Sequence, residues 1–236
     1  MDIGALFHRT LWQWIERGGW VMYPLLIISI ISLWLIIWRA IVILRSKINT
    51  NEMVGRVRKQ LLSGEVDGAI RTCEEYRGPV AAIVKTGILK HDAPTEELEK
   101  TIENAAIHEI TILEKGLPYL ALFTNLAPIM GFLGTVVGMI QAFDVIAKAG
   151  LSNPAAVAEG ISVALLTTAG GLIVAVITSP AYNFLSTEVA SLTREMETST
   201  NILLETIDEM KLSGIRPTSH GAEAPEGSPA PQPSAS

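Results

Sequence analysis

Three long stretches without a charge limit what this chain can fold into. They are Gly18 to Trp38, between Arg17 and Arg39, Gly116 to Phe143, between Lys115 and Asp144, and Gly160 to Thr187, between Glu159 and Glu188. Each exceeds the roughly 20 residues that a helix needs to cross the hydrocarbon core of a bilayer. A backbone in hydrocarbon has no water to bond, so such a segment closes its hydrogen bonds internally as a helix. Buried core helices of a soluble protein are the competing reading. Three uninterrupted runs in 236 residues, 49% of them apolar, argue against it. The expected fold is all-α: a polytopic membrane protein with three transmembrane helices, two of them extended into a helical cytoplasmic domain. A net charge of −6 leaves no basic field for nucleic acid.

Positive charge sets the expected orientation. Arg39, Arg45, Lys47, Arg56, Arg58 and Lys59 crowd after the first run, whereas only Arg9 and Arg17 precede it and only Lys148 separates the second from the third. Positive loops stay on the cytoplasmic side, which puts the amino terminus outside and the carboxyl terminus inside. Trp12, Trp14, Trp20 and Tyr23 at one end, and Trp38 at the other, fit interfacial aromatic belts. The first run is too long for a signal-peptide core and lacks a small-x-small cleavage site, so it is expected to remain as an anchor. The resulting organisation is a short outer (periplasmic) amphipathic segment over 1–17, spans over 18–44, 116–143 and 160–187, and a cytoplasmic helical domain over 45–115. A periplasmic hairpin over 144–159, a cytoplasmic helix over 188–213 and a disordered tail over 214–236 complete it.

Within the cytoplasmic segment, Glu52 to Leu62 and Glu65 to Tyr76 read as short helices divided by Ser63-Gly64, and Gly78-Pro79 opens a third that ends near His91. Pro94 opens a longer one. Its Leu98, Ile102, Ala106, Ile110, Leu113 and Leu117 recur every three or four residues, which predicts a helix running straight into the second span. The same period in Leu185, Val189, Leu192, Met196, Leu203, Ile207 and Met210 carries the third span onward. Cys73 is the single cysteine, and His8, His91, His108 and His220 lack metal-ligand spacing, so no disulfide, metal or other cofactor is expected.

Two small-residue motifs lie inside the last two spans: APIMGFLGTVVGM from Ala127 to Met139 and GISVALLTTAGGL from Gly160 to Leu172. Ala127, Gly131, Thr135, Gly138 and Ala142 fall on one helical face, and Ala164, Thr168, Gly171, Ala175, Thr178 and Tyr182 form a matching stripe. Small residues let helix backbones approach closely where lipid supplies no hydrophobic drive, which assigns Gly131, Gly134, Gly138 and Gly171 to helix packing. A side chain at Gly131 or Gly138 is expected to break the assembly. Thr135 and Thr168 can either line a polar path or bond their own backbone carbonyls. No Asp, Glu, Lys or Arg lies within the three uncharged runs, so an ion-conducting role needs a titrating group from a partner helix.

The span order together with the two motifs, and Tyr182-Asn183 after them, resembles the MotA/TolQ/ExbB proton-channel family, in its three-span TolQ/ExbB branch. The resemblance covers about residues 15 to 212 and implies a homo-oligomer, a pentamer, in the bacterial inner membrane. It further implies an ExbD/TolR-like single-span partner bringing a membrane aspartate, and a TonB/TolA-like energy-transducing protein. In that frame Thr135 and Thr168 are the pore-lining residues. Two departures stand out: Val163 occupies the place of a glutamate common in relatives, and Ile177 that of the usual proline, with Pro180 following. The function so implied is a proton-motive-force-driven motor subunit with no catalytic residues. A non-conducting membrane scaffold is the alternative, and a membrane enzyme is the weakest reading, since the spans hold no nucleophile–base pair or phosphate loop.

Overall fold

A computed structural model describes residues 16–46, 49–150 and 154–213, and among these the ordered elements are all helices. In chain order they are α1 (Met22–Ser46), α2 (Thr50–Leu62), α3 (Val66–Glu75), α4 (Pro79–Leu89), α5 (Thr95–Glu114), α6 (Leu117–Ala149) and α7 (Pro154–Leu212). Three are long and apolar enough to cross a membrane, and they take in most of each uncharged run: the first starts at Met22 and the second at Leu117. Most of the 1–17 segment and all of the 214–236 tail lie outside the described residues.

Local chemistry fixes the helix ends. After α2 the Glu65 amide bonds the Gln60 carbonyl at 2.9 Å and the Gly64 amide bonds Leu61 at 3.0 Å, the paired bonds of a Schellman turn. That turn needs a left-handed residue, and Gly64 supplies it with φ of 79°. Pro79 starts α4, where its missing N–H costs nothing, and Glu96 and Glu97 sit in the first turn of α5 against its positive end.

The chain divides into two compact units, one from residues 1–47 and 110–193, the other from 48–109 and 194–236. In the first, α1 packs on α6 and α7 through a cluster of Met22, Leu25, Ile28, Ala127 and Val174. Its outer surface is apolar, with Ile30, Trp34, Ile129, Phe132, Ile140, Leu165 and Val176 all exposed, as lipid or another helix would require. In the second, Met53, Val57, Leu61, Ile83, Ile88, Leu98, Ile102, Met196, Leu203 and Ile207 are each buried. Gly87 of α4 lets Leu203 and Ile102 close over it, with the Leu203 Cδ2 only 2.6 Å from where a β-carbon would stand.

One expected element is corrected. The helix opened by Pro94 does not run unbroken into the second span: it ends at Glu114, and Gly116, at φ of 94°, turns the chain before α6 begins. α7, by contrast, is continuous over 59 residues.

Candidate functional site

α6 and α7 meet backbone to backbone. A β-carbon at Gly131 would lie 3.1 Å from the Thr167 carbonyl oxygen and from the Thr168 Cα. At Gly138 it would lie 2.7 Å from the Gly160 oxygen and 2.8 Å from the Ala164 nitrogen, and at Gly171 2.5 Å from the Ala127 oxygen. At Gly134 it would overlap the side chain of Thr167. Contact this close is open only to helices that carry glycine on the facing line. The buried line of α6 is therefore Ala127, Gly131, Gly134, Gly138 and Ala142, and that of α7 is Ala164, Thr167, Gly171, Val174 and Thr178.

These lines lie slightly around the helices from the stripes read in the sequence. Thr135 is half-buried on the shoulder of α6, beside the line rather than on it, and Thr168, Ala175 and Tyr182 occupy the same kind of position on α7. Thr167, absent from the predicted stripe, is fully buried. Its importance is not visible in one sequence, because nothing in a threonine pair says which member faces a glycine of another helix.

The two shoulder threonines spend their hydroxyl protons on backbone. Thr135 donates to the Phe132 carbonyl at 2.6 Å, within its own helix, and Thr168 donates across to the Gly131 carbonyl at 3.0 Å. A hydroxyl has one proton and two lone pairs, so both side chains present acceptor oxygen to whatever lies beside them. They suit a cation or a protonated acid as they stand. A carboxylate would require one of them to rotate and give up its backbone bond.

Arg39 is a second feature, which the sequence marked only as a flanking charge. It is buried near the end of α1, and its guanidinium donates to the Ile112 carbonyl at 3.5 Å and to the Leu113 carbonyl, the open end of α5. The ring of Trp38 lies under it, 5.5 Å from Cζ to centroid, and Trp38 in turn stacks on Trp34. α5 has no basic residue in its own last turn, so Arg39 supplies from another helix the cation that a C-terminal dipole favours. Gly116 passes close by, with the space of its β-carbon 3.5 Å from the Arg39 Cδ. Among the described residues no group of three or more His, Cys, Asp or Glu side chains could hold a metal ion.

A family model described as the MotA/TolQ/ExbB proton channel family matches residues 75–198, more than half of the chain and all of the α6–α7 contact. This chain belongs to that family. Among relatives, a putative biopolymer transport protein ExbB homolog of Methanothermobacter thermautotrophicus is 31% identical over 182 residues, covering 76% of this chain and 64% of that protein. The chain thus spans slightly less than two thirds of that relative's length. The Tol-Pal system protein TolQ of Haemophilus influenzae is 31% identical over 192 residues, 74% of this chain and 84% of that one. Among solved structures, that of C. jejuni MotAB superposes with a TM-score of 0.54 at 19% identity, over 88% of this chain and 82% of that one, a likeness of fold. As a MotA/TolQ/ExbB member with three long apolar helices, the chain is a multi-pass membrane protein.

Proposed function

We propose that this chain is the membrane subunit of a proton-driven motor, working as a homo-oligomer, a pentamer, in the bacterial inner membrane. The observation that carries this reading is the pair Thr135 and Thr168. They are hydroxyl groups on the shoulder of a tightly closed α6–α7 pair whose uncharged runs contain no Asp, Glu, Lys or Arg. Such a pair cannot relay a proton alone, so the acid comes from a single-span partner of the ExbD/TolR kind carrying a membrane aspartate. The threonines accept from that acid while it is protonated, and its ionisation competes for their hydroxyl protons. Force passes to the outer membrane through a TonB/TolA-like protein. The charge asymmetry around α1 supports an outer amino terminus and an inner carboxyl terminus.

Thr135→Val and Thr168→Val keep shape and remove the hydroxyl. The double variant, purified from its own host with its partner and sealed into vesicles, is expected to lose proton flux at least about tenfold, the scale of a lost hydrogen bond to a charged or reacting group. Wild-type flux in an intact complex would reject the role of the threonines. Val163, in place of the glutamate of many relatives, favours a second reading in which the subunit gathers partner helices without conducting. The same measurement separates the two.

A further inference from the structure

The α6–α7 contact is not uniform along its length. At Gly131, Gly138, Gly160 and Gly171 the nearest atoms to an added β-carbon are backbone atoms of the opposite helix, at 3.1, 2.7, 2.9 and 2.5 Å respectively. At Gly134 the three nearest atoms all belong to one side chain: the Oγ1, Cβ and Cγ2 of Thr167. Thr167 is fully buried, and its hydroxyl is turned back on its own helix, 2.9 Å from the Ala164 oxygen and 3.1 Å from that of Val163. It makes no polar bond to α6. What it gives α6 is volume, fitted into the hole left by a missing side chain.

The neighbours of this pair in sequence are the two threonines already singled out. Gly134 precedes Thr135 and Thr167 precedes Thr168. Successive residues on an α-helix are about 100° apart, so fixing which way Gly134 and Thr167 face also fixes where Thr135 and Thr168 point. The Thr168 hydroxyl reaches the Gly131 carbonyl, three residues before Gly134 in α6, only in this register. A glycine line alone allows two helices to slide or roll against one another, because every position offers the same flat surface. A knob in a hole does not.

We infer that Thr167 seated on Gly134 is the register lock of the α6–α7 pair, a positioning contact that aims Thr135 and Thr168. Its functional consequence rests on the proposed pore role of those threonines, but the lock itself does not. The test uses the full chain in its host membrane, with Cys73→Ala removing the native thiol. Ala169→Cys and Ala175→Cys serve as separate reporters, one exposed and one half-buried on α7. Their reaction rates with a small methanethiosulfonate reagent form a ratio that reads the rotation of α7. Gly134→Ala is expected to change this ratio at least about threefold, since a β-carbon cannot share space with Thr167, and adding Thr167→Gly is expected to return it towards wild type.

An unchanged ratio in Gly134→Ala, or no return in the double variant, overturns the lock. Should Gly134→Ala fail to accumulate, the comparison of Thr167→Val with Thr167→Ala decides. Valine keeps the knob and should hold the wild-type ratio, whereas alanine, lacking Oγ1 and Cγ2, should lose it; equal ratios for the two overturn the inference. Proton flux is read on the same variants. A shifted ratio with undiminished flux upholds the lock and counts against the pore role of Thr135 and Thr168, so the two claims fail separately.

Discussion

Gly138 has the backbone of α7 at 2.7 and 2.8 Å from the place of a β-carbon, while Gly131 has it at 3.1 Å. The difference orders their tolerance. Gly131→Ala requires a shift of a few tenths of an ångström and is expected to destabilise the subunit by about 1 kcal/mol, and Gly138→Leu by about 3 kcal/mol or more, the range of overpacked interiors. Thermal unfolding of the detergent-solubilised chain reads both. The atoms in the way belong to the same chain, so the first loss is of the α6–α7 pair, ahead of any contact between subunits. Composition and spacing made the glycine faces legible, because small residues repeating at three and four in an apolar run have few other uses. They did not reveal the true azimuth. Thr167 and Thr168 are equivalent in sequence, and only the position of Gly134 on the opposing helix makes one a knob and the other a shoulder.

Among the elements, the break between α5 and α6 was the least legible. Apolar residues at 113, 117 and 120 keep the helical period through it, and periodicity does not register a single left-handed residue. Gly116 followed by Pro118 was the available sign. Arg39 holds this joint, which sets its expected sensitivity. Arg39→Met removes both bonds to the α5 carbonyls and is expected to loosen the joint by about 2 kcal/mol. Hydrogen exchange over 110–117 should quicken accordingly, and Arg39→Lys should fall between the two, since one ammonium does not reproduce a planar fork.

In α3, burial pushes the Cys73 thiol up to about 11 from 9.0, with Lys85 opposing weakly. The folded chain therefore holds the thiol proton more tightly than the unfolded one. This contribution is fully present below pH 9, and is lost as pH rises through about 11. At pH 8 the thiolate fraction alone should slow reaction of Cys73 with a disulfide reagent about 100-fold relative to the denatured chain. Stopped-flow with and without denaturant gives the ratio.

For the molecule as a whole, the helical core was written plainly: Leu98, Ile102 and Leu113, and on α7 Leu185, Val189, Leu192, Met196, Leu203, Ile207 and Met210, are all buried. A period of three and four over charged surroundings admits few other outcomes. Topology is a separate matter and is testable with exposed positions; Cys73 does not serve, because its burial would block labelling on either side. In a Cys73→Ala background, Ala147→Cys is expected to react with an impermeant maleimide on spheroplasts and Glu75→Cys only after lysis. The reverse pattern would invert the whole arrangement.

The clasp between Arg39 and the end of α5 joins groups 73 and 74 residues apart in the chain. A ribosome adds residues in order, at roughly 5–20 per second, so the cation is made several seconds before the carbonyls that receive it. During that interval α1 is already a hydrophobic helix seeking the bilayer, and its guanidinium has to wait at the headgroups, stretched to water. The clasp therefore closes only after Leu113 has been made, and the helix of the second span starts at Leu117, four residues further on.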